Sequence, residues 1–583
     1  MWQDILRAAE TGKSHYLDTI TRFKSGPENE YITDGQQRLV SILLLAMAIL
    51  HVLKNKEFKI KNESRRKFFI SYAEKMVYSH PFSTNGKPVL KIALNEDDLT
   101  VIREVEKNDP DAVQENVNPA VLEESHIYKN YKFFRRTVER FLQDKKYDLG
   151  DIFSAIDNME VNIEDCPIGK AQVTYSNKNS KGLPMTQADL VKNTLMYMFP
   201  LEEQKDIYKN YWLAMERNVY RRNIEEFITD AMAVINTFSE TVGKQFAWDE
   251  KNNLMQNVYD YLRIMADKSE KNNVSVRPED SDKLMPKESQ QVLEALLDLS
   301  DIYKRYITDV KNYKQAAADP LTEKVYQFER VLGGKKAMSV VLYLLKQYEL
   351  GNITKKVTIN CMDTLVTLQM RNKFVGQFKG VQRKPSIQLM REMNERKNKH
   401  MDDFMWNTLV NKTGTQGIAS DKSLIEYFTN SQLSSGFGNT AKNQKLTTRF
   451  LFWRINEAYA KEHRKKILGF NENLAVEHVI PPSNETAWKN ELNETSAEKI
   501  KGIVDRLGNH ALVLKPSDND GFSKKKKIYK GLQFPLTAAI SKYNNYTEKE
   551  VDAITAIYAE YFIKAFPIPE RYNKDSKLLP KAA

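Results

Sequence analysis

Cysteine is almost absent: the 583 residues carry only Cys166 and Cys361, far apart and without a CxxC pair. Two isolated thiols exclude a structural zinc cluster and argue against a disulfide framework, and they read as buried side chains. Long apolar runs are missing too. The longest, Leu39 to Leu53, is broken by Ser41 and His51 and falls short of the roughly 20 residues that a membrane span requires. It reads as a core helix. The chain also lacks a basic amino-terminal region followed by an oily segment and a small-residue cleavage site, which argues against secretion and for a cytoplasmic protein. No repeat of solenoid period is visible. Acidic residues are the scarcer charge, 77 against 88 Lys and Arg, for a net charge of +11. That excess favours a polyanionic partner, because basic groups that neutralise phosphates release condensed counterions.

What is present is globular in character. Apolar residues make up 41% of the chain and charged ones 28%, enough material for real cores, and the length exceeds what one core usually serves. Residues 1–200 alternate short β-like pieces such as "KPVLKIAL" and "KAQVTYSN" with helical ones, a mixed α/β region. Residues 201–445 are dominated by helical stretches such as "EEFITDAMAVINTFSETV" and "KAMSVVLYLLKQYEL". Residues 446–583 open on a helical segment, then carry "AVEHVI", a Pro-Pro-Ser turn, "GNHALVL" and a lysine-rich helix, the order of a small ββα unit. The expected class is α+β, predominantly helical.

The first motif is "EYITDGQQRLVSILLLAMAIL", Glu30 to Leu50. Tyr31 to Thr33 are strand-like, Asp34-Gly35 is a turn signal, and Leu39, Leu43, Met47 and Leu50 fall on one side of a helix. Asp34 is then expected to cap the helix while Gln37 reaches back. The same turn suits phosphate: helix N-termini present N–H groups and positive dipole, Gly35 permits close approach, and the Arg38 guanidinium clamps phosphate oxygens.

"DGQQRL" resembles the signature of the GmrS-like domain, the nucleotide-hydrolysing half of GmrSD-type type IV restriction enzymes, with a ParB/sulfiredoxin-like fold. "NSKGLPMTQADLVKN", Asn179 to Asn193, is similar to that family's later motif. In it Thr186 and Asp189 also make a plain helix-capping pattern. The resemblance implies a nucleoside triphosphate held by Asp34, Gly35, Gln36, Gln37, Arg38, Asn179 and Lys192. Family members usually begin with a segment carrying Tyr-Gln-Arg and Tyr-x-Trp ahead of a Trp-x-Asp-Ile helix. Here Trp2, Asp4 and Ile5 in "MWQDIL" resemble that helix, so the GmrS-like domain is expected to be incomplete at its amino end.

The second constellation is "LAVEHVIPPSN" followed by "RLGNHALVLKPSDNDGFSKKKKIYK". A carboxylate beside a histidine at a strand end, a Gly-Asn opening the next strand and an asparagine before a helix resemble an HNH (ββα-metal) nuclease and the GmrD-like domain that follows GmrS-like ones. Phosphodiester hydrolysis requires a nucleophilic water, charge neutralisation and stabilisation of the leaving oxygen. His478 is the candidate general base, since imidazole titrates near neutrality. Glu477 and Asn519 offer the hard oxygens that Mg²⁺ prefers. Asn509, by analogy with the family's central asparagine, is expected to brace the loop that aims His478. His510 is expected on the opposite strand face and outside catalysis. Lys524, Lys525, Lys526, Lys527 and Lys530 are candidates for contacts to DNA phosphates.

The resemblance therefore implies an Mg²⁺-dependent DNA endonuclease of prokaryotic anti-phage defence. Its implied substrate is modified double-stranded phage DNA, glucosylated or phosphorothioate-marked in relatives, and its implied regulator a nucleotide-hydrolysing domain. Two rival readings are a catalytically idle DNA-binding or regulatory protein, and a nucleotidase with a vestigial HNH unit.

Overall fold

The computed structural model describes residues 1–24, 30–55, 62–80, 89–94, 96–106, 125–143, 148–165, 186–219, 224–239, 254–269, 286–374, 383–396, 400–411, 417–430, 446–481, 502–517 and 521–573. Cys166, Asn179, Asn519 and the segment "KAQVTYSN" lie outside the described residues. The chain divides into two compact units, Met1–Met185 and Thr186–Ala583. Helices dominate both, with few strands.

In the first unit, helix α1 (Trp2–Thr11) leads into strand β1 (His15–Lys24). β1 is the centre of a three-stranded sheet, antiparallel to β2 (Glu30–Asp34) and parallel to a later strand, β5 (Met159–Asp165). The parallel pairing slips between Tyr16 and Thr19, where Asp18 takes a φ of 73°, the mark of a bulge. From β2 the chain turns at once into α2 (Gln36–Lys54).

By length and composition α2 is apolar enough to cross a membrane. In this unit its stretch Leu43–Leu53 is instead buried, in a cluster with Phe69 and Val77 of α3 (Glu63–Val77) and Tyr131 and Val138 of α4 (His126–Gln143). Each fully buried Leu or Ile contributes about 1.5–3 kcal/mol. That accounts for why a helix with so little polar surface sits inside. Its buried polar side chain, His51, is satisfied by the Tyr131 hydroxyl, 2.6 Å from Nδ1. Within the same unit β3 (Tyr78–His80) pairs antiparallel with β4 (Val89–Leu90), the strand within "KPVLKIAL", of which 89–94 are described.

The second unit starts at helix α5 (Gln187–Tyr197), where the Thr186 hydroxyl accepts the Asp189 N–H at 3.1 Å. One hydrophobic core then runs from Ala188 to Phe566. It includes α6 (Ile224–Phe238), α7 (Met338–Glu349), α8 (Lys355–Phe374) and α9 (Leu446–Glu462), so it continues without a break past residue 445. Arg371 on α8 is wholly buried and ties distant stretches together. Its guanidinium donates to the Ala419 carbonyl at 2.8 Å, the Phe566 carbonyl at 2.9 Å and the Asp421 carboxylate at 2.5 Å. A buried cation is tolerated because its donors are met.

Burial draws His51 from the ordinary 6.5 to about 4. Its folded state therefore refuses a proton that the unfolded chain accepts between those values. This contribution is complete above pH 6.5 and is lost as the pH falls toward 4, amounting to about 3 kcal/mol at most. Urea unfolding of the full chain is expected to show a steeper loss of stability across that window than the His51→Asn variant does.

Candidate active site

The ββα order folds as a short ribbon and a helix. Strand β6 (Ala475–His478) pairs antiparallel with β7 (His510–Val513), with Glu477 opposite Ala511 and His478 opposite His510. Helix α10 (Phe522–Lys530) follows. Ala475, Val476, Ala511, Leu512 and Val513 are buried, so the ribbon is apolar on both faces. The candidate chemistry sits at its end.

His478 closes β6, and its side chain is 13% exposed. Its ring lies 4.5 Å from that of His510, which corrects the placement of His510 on the opposite face. Residues paired directly across an antiparallel ribbon share a face. The 3-10 turn Leu507–Asn509 ends just before β7, so Asn509 falls outside the strand's alternation. His510 is buried, with Nδ1–H donating to the Arg506 carbonyl at 2.9 Å. Burial, and then the neighbouring His478, pulls it down to about 3. Burial also lowers His478, opposed by the Asp505 carboxylate, whose Oδ1 stands 3.8 Å from Nε2. At neutral pH the end of the ribbon presents two neutral imidazoles.

Asn509 is wholly buried. Its carbonyl oxygen accepts the Ile480 N–H at 2.8 Å, and its amide donates to the Ile480 and Val504 carbonyls, each at 2.9 Å. It thus braces the turn immediately after His478. Gly508 allows the 3-10 turn Leu507–Asn509 to lie on α11 (Glu548–Ala565): a Cβ there would come within 2.1 Å of the Val551 carbonyl oxygen and 2.6 Å of the Thr555 nitrogen.

Glu477, preceding His478 in the strand, is engaged by a different partner. Its Oε2 accepts from the Ser517 N–H at 2.7 Å and the Ser517 hydroxyl at 2.9 Å, and Oε1 lies 3.1 Å from the same hydroxyl. The carboxylate is thereby held by Ser517, which follows β7. A carboxylate has about four acceptor positions, so oxygen remains for a hard cation, and this donor chemistry fits Mg²⁺. Among the described residues no cluster of three or more His, Cys, Asp or Glu side chains gathers as a ready metal site.

The lysines of α10 divide. Lys524, Lys527 and Lys530 are exposed, three residues apart on one side. Lys526 is half-buried and donates to the Tyr543 carbonyl at 2.7 Å. Lys525 leaves the DNA-facing set: it is wholly buried, donates to the His478 carbonyl at 2.6 Å, and stands 4.0 Å from Glu477 Oε2. A signal for this was present, since Phe522, Lys525 and Tyr529 form the buried stripe of α10 at helical spacing. Ser517 and Asp505 were also missed. They come from loops, where no periodicity marks a side chain's direction.

At the amino-terminal motif the cap residue is Gly35, not Asp34, with φ 94° and no side-chain cap. Asp34 ends β2 opposite Thr21, and the tight turn leaves a Cβ at Gly35 only 2.9 Å from Ile20. Gln36 donates back to the Ile32 carbonyl at 2.5 Å, and Gln37 is exposed. Arg38 donates to the Leu17 carbonyl at 2.6 Å and stands 3.9 Å from the Asp18 carboxylate. Lys192, in the second unit, pairs with Asp189 at 2.8 Å.

Residues 1–196 match the GmrSD restriction endonuclease N-terminal domain, and residues 420–560 match the GmrSD restriction endonucleases C-terminal domain. The chain belongs to the GmrSD restriction endonuclease family. DNA is the substrate this family implies. The first match takes in Arg38 and Lys192, and the second takes in His478, Asp505, Asn509 and all of α10. No match was found among curated proteins.

For this GmrSD-family chain, Gly508→Ala is expected to destabilise the second unit by roughly 2–4 kcal/mol, because the intruding methyl meets helix backbone rather than a movable side chain. Denaturant unfolding measures this, and a variant as stable as the parent would refute the close approach.

Proposed function

We propose that the protein is a modification-dependent DNA endonuclease of prokaryotic anti-phage defence, cytoplasmic, cutting through an HNH-type ββα site in its C-terminal GmrSD domain. One observation carries the reading: a neutral, partly accessible His478 at the end of the β6–β7 ribbon, with the following turn braced by Asn509. His478 takes a proton from the attacking water. Asn509 holds the turn so that the imidazole keeps its direction. Glu477 and Asn519 would hold Mg²⁺, which when bound neutralises charge on the phosphate and the leaving oxygen. Lys524, Lys527 and Lys530 seat the sugar-phosphate backbone without reading sequence. The DNA is double-stranded and bears a phage modification.

For the first unit we propose a ParB/sulfiredoxin-like nucleotide-binding domain that regulates cleavage. Support comes from the Gly35 turn, whose close approach to Ile20 puts the uncapped start of α2 beside β1, and from Arg38 at the Asp18 bulge. Asp34 to Arg38 would face the phosphates of a nucleoside triphosphate.

His478→Ala is expected to abolish Mg²⁺-dependent cleavage of DNA carrying glucosylated hydroxymethylcytosine while leaving DNA affinity within about twofold. Removing one general base costs about 10²–10⁴ in rate. Cleavage that survives the change removes the HNH assignment, and band shifts without metal-dependent products in the parent protein favour the idle binder. Replacing Lys524, Lys527 and Lys530 together by Ala is expected to weaken binding to all DNA alike. It should also flatten the dependence of log affinity on log salt by about 2–3 units. An unchanged salt slope would place the DNA elsewhere.

A further inference from the structure

The stretch that carries Asn509 also carries a carboxylate aimed at the candidate base. Asp505 Oδ1 stands 3.8 Å from His478 Nε2, with Asp505 37% exposed and His478 13%. The neighbouring cation, Arg506, is turned away toward α11, where it pairs with Glu548 at 2.9 Å and Asp552 at 2.6 Å. The other carboxylate at the ribbon end, Glu477, is engaged by Ser517. The backbone that presents Asp505 is anchored at several points. The Arg506 N–H donates to the Ile503 carbonyl at 3.1 Å, and the Arg506 carbonyl receives the Asn509 N–H at 3.0 Å and the His510 ring at 2.9 Å. The Gly508 N–H donates to the Thr555 hydroxyl at 2.9 Å, and the Tyr546 hydroxyl donates to the Gly508 carbonyl at 2.6 Å. A carboxylate on so fixed a segment is pre-organised.

We propose that Asp505 is a positioning residue that holds the His478 imidazole with Nε2–H toward its carboxylate, leaving the Nδ1 lone pair as the atom that accepts the proton. A neutral imidazole carries one N–H, and the nitrogen beside a carboxylate is the one that keeps it. Catalytic hydrogen bonds that are long without substrate tighten in the reacting complex. In the step itself one water O–H bond breaks and its proton passes to Nδ1. The water oxygen bonds to phosphorus, the bond from phosphorus to the leaving oxygen breaks, and that oxygen takes a proton from solvent. The imidazolium so formed lies against the Asp505 charge.

The inference rests on His478 being the base, and the test separates the two ideas. Asp505→Ala and the isosteric Asp505→Asn are expected to lower kcat for cleavage of the modified DNA by at least about 10-fold, with KM within about twofold. Asp505→Glu should recover part of the loss. Independently of DNA, nitrogen-15 spectra of the histidine-labelled full chain, with the His478 signal identified by its loss in His478→Ala, are expected to show the Nε2–H tautomer in the parent and a mixture in Asp505→Ala. An unchanged tautomer, or parental kcat in both Asp505 variants beside an inactive His478→Ala, overturns the role of Asp505. Full cleavage by His478→Ala overturns the base assignment instead, and the spectrum then decides the Asp505 contact alone.

Discussion

The ribbon end is organised around one buried carboxamide. With three hydrogen bonds of 2.8–2.9 Å, the Asn509 side chain serves both backbone polar groups of Ile480 and the carbonyl of Val504, groups whose burial unpaired would cost about 1–3 kcal/mol each. Pro481 follows Ile480 and disfavours helical backbone there, so the turn is already extended when the amide meets it. The Asn509 carbonyl also receives the Val479 N–H at 2.8 Å, which prolongs the β6–β7 pairing past its last ladder partners. Everything placed on His478 depends on this clamp. The imidazole is carried by the residue just before a turn that has almost no freedom left.

The same clamp shows what could be read from residue types and what could not. Asn509 as a brace is expected by analogy with the central asparagine of the HNH family, and its physical basis is that a carboxamide mimics a peptide group on both its edges. The buried helix α2 follows from its oily run, with His51 as the exception that a tyrosine hydroxyl resolves. The face occupied by His510 is different in kind. It is set by register with a strand more than thirty residues earlier, and by a 3-10 turn that resets the alternation at Asn509. Asp505 and Ser517 lie deeper still, since the Asp505 stretch is directed by its contacts with α11 and Ser517 by Glu477 on β6 rather than by any local period. The turn at Gly35 was legible as a turn but not in its geometry. A glycine at φ 94° with Ile20 against its α-carbon takes the cap position that an aspartate would ordinarily fill.

The Arg38 contacts bear on how the amino-terminal motif works. An arginine that donates to the Leu17 carbonyl beside the Asp18 bulge fastens α2 to β1, and that fastening is a structural role in its own right. The bond to the Leu17 carbonyl fixes the direction of the guanidinium. For the nucleotide binding proposed above, such fixing would remove rotamer freedom that holding a phosphate otherwise has to quench. The bulge and the arginine therefore belong to one device, in which the irregular strand supplies the carbonyl that aims the cation.

Helix α10 carries the electrostatic consequence furthest. Its lysines would all read as a solvated face, yet Lys525 turns inward with Phe522 and Tyr529 while Lys524, Lys527 and Lys530 turn out. The inward ammonium is stabilised by the His478 carbonyl and the Glu477 carboxylate. Burial, and then the Glu477 charge, pushes the Tyr529 hydroxyl upward, keeping it neutral within the same packing. One buried charge pair thus locks the helix to the ribbon strand that bears His478. The outward lysines, spaced about 4.5 Å along the axis, inherit that fixed orientation, so under the proposed nuclease reading a phosphate backbone drawn to them would be delivered at a set position relative to the imidazole. On that reading α10 is both the third wall of the site and its grip. The helix must stay docked through Lys525 for either function to register with the other.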